Sequence, residues 1–146
     1  MKNAPKILLG RREKVNFPAL RLKDIDAKVD TGAYTSSIHC HDIREVDNQL
    51  YCKFLDPAHP DYNEQEFRFN TYSRKTVKSS NGQIENRYKI TTKIELDEKQ
   101  YSISLTLTDR ANMKYPVLLG RKFLSRKFIV DVSLKYQLKT NNSVIG

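Results

Sequence analysis

The residues from 101 to 108, YSISLTLT, alternate strictly between apolar and polar side chains. Successive side chains of a β-strand point to opposite faces, so this period of two describes a strand with one buried face. The preceding segment, 84–96, repeats the rhythm, with apolar positions at Tyr88, Ile90, Ile94 and Leu96. Four polar residues, 97–100, join the two runs, which predicts an antiparallel hairpin. This pattern restricts the chain to a mostly-β fold.

A second turn signal precedes this hairpin. Asn81-Gly82 is the strongest turn dipeptide in the chain, because both residues tolerate the positive φ that tight hairpin turns require. It lies between residues 67–77 and 84–96 and predicts a second long hairpin. The segment 56–64, DPAHPDYNE, has two prolines and no periodicity, and we expect a loop or an insertion there.

The C-terminal region has a different rhythm. Pro116 opens a short continuous apolar run that ends at Gly120, which is typical of a fully buried strand. Residues 121–127, RKFLSRK, are predicted to form a short helix, and residues 128–130 return to a strand. A chain of 146 residues favours one domain, so we expect a single all-β domain with one short helix.

The stretch AKVDTGAYTSS, residues 27–37, places a carboxylate, Asp30, at the end of a strand-like approach. Gly32 allows a sharp turn that brings backbone groups close to that carboxylate, and the Thr31 hydroxyl can bond locally and hold the loop rigid. Such a loop presents an acid that can take a proton from water. For the tripeptide Asp-Thr-Gly taken alone, an ordinary turn with a capping Asp is the better explanation.

Acid–base catalysis by aspartates needs a second carboxyl group. Two carboxylates about 3 Å apart share one proton, because like charges so close cannot both ionise. This chain holds one Asp-(Thr/Ser)-Gly, so a dyad requires the Asp30 of a second copy across a two-fold axis.

Several motifs in order resemble those of the bacterial retropepsin-like aspartic peptidases, commonly labelled ATP-dependent zinc proteases. They are GRREKV, AKVDTGAYTSSIH, RKTVKSSNG, ENRYKI, LTDRANMKYPVLLGRKFL and IVDVS, and they span residues 10 to 133. The resemblance implies a pepsin-like half of closed β-barrel type with one short C-terminal helix, completed by homodimerisation. It implies that Asp30 is catalytic, supported by an active-site loop of Thr31, Gly32, Ala33, Leu118, Leu119, Gly120 and Arg121. In this family the apolar pair before the Gly forms a strand that threads through the Asp-Thr-Gly loop.

Two features depart from the smaller retroviral members. These usually carry an Asp directly after Asp-Thr-Gly-Ala, which pairs with the Arg of the Gly-Arg motif, whereas this chain has Tyr34. Arg121 therefore needs another acid, with Asp131 and Asp109 as candidates, or it is a solvated helix residue. The gap between the motifs is also longer, and the extra length is assigned to an insertion at residues 43–64.

The label of the family suggests ATP and zinc, and the motifs support neither. No phosphate-binding loop ending in Gly-Lys-(Ser/Thr) and no H-E-x-x-H is present. His39 and His41 share one face of a predicted strand and form a weak candidate metal pair, to which Cys52 or His59 would add a ligand. The competing interpretation is a half-exposed strand with outward histidines. No cofactor is therefore predicted.

The motif order places a flap at the tip of the second hairpin, at Lys78, Ser79, Ser80, Asn81 and Gly82. Small residues there suit a mobile lid that closes over a peptide, although a plain surface hairpin is the alternative. Basic residues surround it: Arg68, Arg74, Lys75, Lys78, Arg87 and Lys89. With a net charge of +9, they favour an acidic peptide substrate.

Three functions from different classes therefore remain open: a homodimeric aspartic peptidase, a peptide-binding module of the same fold, and a basic nucleic-acid-binding β-domain. The last lacks any recognised nucleic-acid motif, so nucleic acid is not the expected partner. The resembling family occurs beside ATP-grasp ligases that add glutamate to proteins, which suggests a functional association with such a ligase. The apolar run Ile7–Leu9 is too short for a membrane span or a signal peptide, and we expect a cytoplasmic protein with reduced thiols at Cys40 and Cys52.

Overall fold

The computed structural model describes residues 5–55, 57, 59–60, 62–78, 82–109 and 114–138. Within them the ordered elements are nearly all strands, as the alternating pattern predicts. The strands are β1 (Ile7–Leu9), β2 (Arg12–Phe17), β3 (Leu22–Val29), β4 (Ser36–Val46), β5 (Gln49–Phe54), β6 (Glu66–Phe69), β7 (Ser73–Lys78), β8 (Ile84–Leu96), β9 (Lys99–Thr108), β10 (Val117–Leu119) and β11 (Phe128–Val130). A 3-10 turn at Pro18–Leu20 and a single-turn helix α1, Arg121–Leu124, are the helical elements of this part of the chain.

Six strands close into a barrel. They pair in the order β10, β3, β2, β8, β9 and β4, and β4 pairs back with β10. Each strand contributes to the common core, with Leu119, Ile25, Val15, Ile94, Leu105 and Ile38 at most 1% exposed. Burying a side chain of this size stabilises the fold by about 1.5–3 kcal/mol. The predicted all-β barrel is confirmed.

The short strand β10 lies between two strands that follow each other in the chain. It runs parallel to β3, with Leu119 opposite Val29, and antiparallel to β4, with Val117 opposite Ile38. Val117 and Leu119 are buried as predicted, whereas Leu118 is only partly buried. A segment nearly ninety positions downstream of β3 therefore separates β3 from β4.

Strand β4 belongs to two sheets. Its first part, 36–39, pairs with β9 in the barrel, and its later part pairs with β5, which in turn pairs with β6. The change coincides with a register shift after His41 and a φ of 54° at Asp42, which bend the strand. The segment 43–64, to which the extra length was assigned, contains the end of β4 and all of β5, and its described residues after β5 belong to no strand or helix.

Both predicted hairpins exist, and one of them is shorter than predicted. Strands β8 and β9 are joined by a two-residue turn in which Asp97 and Glu98 have positive φ values of 52° and 64°, as tight hairpin turns require. Strands β7 and β8 form the second hairpin. The prediction of one continuous arm over 67–77 is wrong.

The early part of that predicted arm is β6, and it pairs with β5. Phe67 and Phe69 both pack edge-to-face on Phe54 of β5, with centroid distances of 5.3 and 6.1 Å. These aromatic contacts and the ladder to β5 hold 66–69 away from β8. Phe67 and Phe69 alternate with polar residues, but this alternation stops at Asn70, where the structure also breaks the arm.

The predicted helix over 121–127 ends earlier, at Leu124. The next residues form a turn in which Arg126 has a φ of 72°. This turn reverses the chain, so that β11 can pair in parallel with β1. It also brings Phe128 against Phe123, with ring centroids 5.4 Å apart. Tertiary pairing therefore limits α1 to one turn.

A buried acid joins the two ends of the described chain. Glu13 on β2 is 0% exposed, and its carboxylate accepts hydrogen bonds from the backbone N–H groups of Gly10, Gln137 and Leu138 at 2.7, 2.9 and 3.1 Å. Three donors compensate the cost of removing this carboxylate from water. Sequence reasoning did not single out Glu13, although it lies on the same buried face of β2 as Val15 and Phe17.

Among the described residues, no helix has the length and apolar character needed to cross a membrane.

Candidate functional site

Asp30 lies immediately after β3, where the threaded strand β10 holds it in place. The backbone N–H of Asp30 donates to the carbonyl of Leu119 at 2.9 Å, which continues the parallel ladder by one bond. Both Asp30 and the strand that supports it are therefore anchored in the barrel wall. The position of the acid is fixed by β-sheet hydrogen bonds and does not depend on a free loop.

The Asp-Thr-Gly segment forms a tight turn around the acid. The N–H of Ala33 donates to the carbonyl of Asp30 at 3.1 Å, and the N–H of Gly32 donates to its Oδ1 at 3.2 Å. The first turn of α1 binds the far side of this loop, since the N–H groups of Arg121 and Lys122 donate to the carbonyls of Ala33 and Tyr34. The loop is held from both sides by backbone bonds, as its predicted role requires.

Gly120 is required by the closeness of this packing. A Cβ placed on Gly120 would lie 2.6 Å from the Thr35 carbonyl oxygen and 2.7 Å from that of Tyr34. Its N–H donates to the Ser36 hydroxyl at 2.9 Å, and the Thr106 hydroxyl donates to the Ser36 carbonyl at 3.3 Å. Ser36 is thus a supporting residue that the sequence signalled only as part of a run of small hydroxyl residues.

Arg121 contacts the loop without an acid. Its guanidinium donates to the carbonyl of Thr31 at 3.0 Å and lies 5.7 Å from the centre of the Tyr34 ring. Asp131, one predicted partner, instead accepts from the N–H and hydroxyl of Ser133. In the described part of the chain neither Asp131 nor Asp109 forms an ion pair with Arg121. The Arg121 guanidinium therefore lies over the Tyr34 ring and does not pair with the carboxylate expected from the sequence.

The face of the loop that carries the acid is open. Asp30 is partly buried, Thr31 and Gly32 are exposed, and Tyr34 is 54% exposed. A single chain thus presents one accessible carboxylate in a rigid turn. This arrangement can polarise or deprotonate a water, and it leaves room for a second acid on the open side.

The β7–β8 hairpin occupies the place assigned to a flap. Lys78 is the last residue of β7, and Gly82 follows with a φ of 85° that favours glycine. Ser79, Ser80 and Asn81, which complete the predicted tip, lie outside the described residues. The role of this hairpin as a lid stays a prediction.

The two histidines lie on β4, and their ring nitrogens are engaged by the protein. The Nδ1 atoms of His39 and His41 lie 3.2 and 2.8 Å from the carbonyls of Thr108 and Leu55. Because a carbonyl only accepts, both Nδ1 atoms carry the proton. The His41 Nε2 accepts from the Tyr62 hydroxyl at 3.2 Å. No group of three His, Cys, Asp or Glu side chains suited to a metal occurs among the residues with described positions.

The two cysteines are free and buried next to each other. A hydrogen bond with Cys52 and burial together raise the pKa of the Cys40 thiol well above its usual range. The Cys40 thiol therefore stays protonated at neutral pH, and both cysteines occupy the position of small apolar core residues.

The predicted basic cluster is divided by ion pairing. Arg74 pairs with Glu45, and Arg87 pairs with Glu85 at 3.2 Å. Arg68 lies on β6, outside the β7–β8 hairpin. Lys75 and Lys89, in contrast, line a cavity that they share with Lys122 and Lys127. Of the six predicted basic residues, Lys75 and Lys89 are therefore the two that line this cavity.

The fold matches a solved structure over nearly its whole length. A crystal structure of Lpg0085 from Legionella pneumophila subsp. pneumophila str. Philadelphia 1, described as a protein with unknown function (DUF785), superimposes with a TM-score of 0.71. The two sequences are 28% identical, and the match covers 92% of this chain and 100% of that one.

Curated relatives carry the name of a ligase. A probable alpha-L-glutamate ligase from Shewanella halifaxensis (strain HAW-EB4) is 39% identical over 143 residues, which are 95% of this chain and 31% of the relative. A second, from Parasynechococcus marenigrum (strain WH8102), is 34% identical over 91% of this chain and 29% of its own length. This chain thus spans about a third of these relatives.

A family model decides the classification. The model described as retropepsin-like aspartic endopeptidase RimB matches residues 8–141, more than nine tenths of the chain. The match includes the Asp30 loop, β10 and α1, which the geometry joins into one site. The chain therefore belongs to the RimB-like family of retropepsin-like aspartic endopeptidases.

Proposed function

We propose that this protein is an aspartic endopeptidase whose active site is built from two Asp30 carboxylates, one from each subunit of a homodimer. One carboxylate, ionised, takes a proton from a bound water as the water oxygen attacks the carbonyl carbon of the scissile peptide bond. The other, protonated, hydrogen-bonds the carbonyl oxygen. Transfer of a proton to the departing nitrogen then breaks the C–N bond and yields a carboxylic acid and an amine.

The observation that carries this proposal is the rigid, open presentation of Asp30. Its N–H is fixed by Leu119 of β10, while Thr31 and Gly32 are exposed on the side that a second chain would occupy. A dyad works only if the two acids are held at a set separation, and sheet hydrogen bonds provide that constraint. Membership of an aspartic endopeptidase family supports the same reaction.

The test is Asp30→Asn, assayed on a peptide library by mass spectrometry. The amide keeps the shape of the side chain and removes its ionisable group, so we expect loss of cleavage with an unchanged fold by circular dichroism. Asp47→Asn is the matched control: it removes the same charge at an exposed turn with φ 51°, a conformation that Asn tolerates. Cleavage by Asp30→Asn at the wild-type rate contradicts the proposal.

The dimer has its own test. Each chain carries one Asp-Thr-Gly, so activity per chain should fall on dilution as dimers dissociate, in step with the mass measured by analytical ultracentrifugation. A fully active monomer contradicts the shared dyad.

The substrate side of the proposal is an acidic peptide. The chain carries 26 Lys and Arg against 17 Asp and Glu, and long-range attraction speeds encounter with an anionic partner. The rate on acidic peptides should fall between low and high salt, because the Debye length shortens from about 10 Å at 0.1 M to about 3 Å at 1 M. Functional association with a glutamate ligase is part of the proposal, supported by the ligase names of the relatives.

Those ligase names also favour a second candidate, a peptide-binding module of the same fold that does not cleave efficiently. A domain that forms 31% of a protein called a ligase could present acidic peptides to the remaining part. Binding of acidic peptides by wild type, without any cleaved product after long incubation with a dimeric sample, selects this alternative.

A further inference from the structure

A cavity of about 220 Å³ opens between α1 and the polar outer face of the β8–β9 hairpin. Its walls carry four lysines and a set of hydroxyl groups, and no acidic side chain lines it. The lysines are Lys75, Lys89, Lys122 and Lys127, and the hydroxyl residues are Thr35, Ser36, Thr91, Ser102, Ser104 and Thr106.

These lysines come from four places in the chain that only the fold brings together. Lys75 is on β7, Lys89 on β8, Lys122 in α1, and Lys127 in the turn that follows. Within the described ranges none of the four forms an ion pair with a carboxylate. The Nζ of Lys127 donates to the Phe123 carbonyl, and the Nζ of Lys75 lies 5.7 Å from the centre of the Tyr34 ring.

The concentration of like charge is unfavourable for the empty protein. The pKa of Lys75 is lowered first by burial and then by the positive charges of Lys89 and Lys122. Like charges at such sites cost free energy unless an anion lies between them. The Ser102 hydroxyl accepts from Lys93 and keeps its own proton for an anion, whereas the Thr106 hydroxyl already donates to the Ser36 carbonyl. The lining therefore suits a negatively charged group chiefly through its lysines.

The size of the cavity narrows the class of ligand. Pockets that enclose drug-sized molecules typically measure about 300–1,000 Å³. A cavity of about 220 Å³ fits one acidic side chain or a small anion more closely than a whole cofactor.

The cavity adjoins the Asp30 loop. Thr35, which lines the cavity, is five positions after Asp30. The Lys75 Nζ and the Arg121 guanidinium carbon each lie 5.7 Å from the centre of the Tyr34 ring. Arg121 in turn bonds to Thr31 of the loop. The wall of the cavity therefore continues directly from the Asp30 loop along the chain.

We propose that this four-lysine pocket is a subsite that binds the carboxylate of one acidic side chain of the peptide, set at a fixed distance from the Asp30 loop. This inference rests on the proposed peptide specificity and adds the residues that produce it. Net charge alone predicts attraction to any acidic peptide, whereas the pocket predicts that one position in the peptide dominates.

The experiment measures binding in an Asp30→Asn background, so that cleavage is not required. The probes are fluorescein-labelled octapeptides in which a single Glu moves along a neutral sequence, each beside its Gln counterpart, followed by fluorescence anisotropy. The test variant is Lys89→Gln with Lys122→Gln. Its control, Lys23→Gln with Lys99→Gln, removes the same charge at two exposed lysines outside the pocket. Lys89→Arg tests whether charge restores what Gln removes.

We expect one Glu position to bind more tightly than its Gln partner, by about fivefold for each lysine engaged, the upper range for a partly exposed ion pair. The pocket variant should bind the Glu and Gln peptides equally, whereas the control variant and Lys89→Arg should keep the preference for Glu. Thermal melts of every variant show that each one is folded. Equal discrimination in the pocket variant and the control overturns the proposal. A second result also overturns the proposal: inorganic phosphate displaces the peptides through the same lysines, and no Glu peptide binds more tightly than its Gln counterpart. That result identifies a small free anion as the ligand.

The outcomes separate this inference from the peptidase proposal. Positional discrimination without any cleavage by the wild-type protein supports the pocket and removes the hydrolytic function. Cleavage of Glu and Gln peptides at equal rates supports hydrolysis and removes the pocket.

Discussion

Replacing Gly120 by Ala tests the central packing argument for the site. The new methyl group would lie 2.6 Å from the Thr35 carbonyl oxygen, where ordinary contact begins at 3.4 Å. The backbone must therefore open by about 0.8 Å. The obstructing atoms belong to main chain that cannot rotate away, and the Tyr34 carbonyl also accepts the N–H of Lys122.

The expected cost is that of overpacking a close-packed interior, about 1–3 kcal/mol. For a domain of this size that corresponds to a fall in Tm of roughly 3–10 °C. The φ of Gly120 is −96°, so backbone strain adds nothing and the steric conflict alone is measured. Urea denaturation followed by circular dichroism, at one fixed protein concentration, gives the free energy of unfolding.

Gly32→Ala is the matched control in the same site. A Cβ at Gly32 meets only the Asp30 Oδ1, at 3.4 Å, and the residue is exposed. Its stability should change by less than about 0.5 kcal/mol, as for most surface substitutions. An unfolding free energy for Gly120→Ala equal to that of wild type, or a larger loss for Gly32→Ala, refutes the reasoning.

Three further predictions follow from side chains outside the Asp30 loop. Glu13→Gln should lower the free energy of unfolding by about 1–3 kcal/mol in urea titrations, because an amide cannot accept all three backbone hydrogen bonds of a buried carboxylate; an unchanged value contradicts this account. The Tyr72 hydroxyl donates a hydrogen bond to Glu45, and this bond is the main cause of two pKa shifts: it raises the pKa of Tyr72 to about 12 and lowers the pKa of Glu45. Wild type should therefore melt at a higher temperature than Tyr72→Phe at neutral pH. This difference in Tm should shrink as pH falls through the lowered pKa of Glu45, and also as pH rises from about 10 to 12 and Tyr72 loses its proton. A difference in Tm that does not change with pH contradicts the hydrogen bond. The buried Cys40, with its raised thiol pKa, should react with a chromogenic disulfide reagent only after unfolding, and fast labelling of the native protein is the contrary result.

Local patterns predicted the parts of this protein that local physics decides. Strict alternation located β8 and β9 because every second side chain of a strand points toward the core, and this holds whichever distant segments complete that core. Asn81-Gly82 predicted a turn because the two residues tolerate an unusual backbone conformation. The Asp-Thr-Gly tripeptide predicted a tight turn for a similar reason, since Asp and Gly both favour turn conformations.

Contacts between distant segments decided the rest. The break between β6 and β7 depends on Phe54, and the early end of α1 depends on pairing between β11 and β1, neither of which is encoded in those segments. Alternation with Val15 and Phe17 places Glu13 on the buried face of β2, but only the fold supplies its donors from the residues after β11. The sequence supplied the positive charges, and tertiary structure decided which of them are neutralised by Glu45 and Glu85. It also gathered the four lysines around one cavity, because only folding sets the distances on which their electrostatic energy depends.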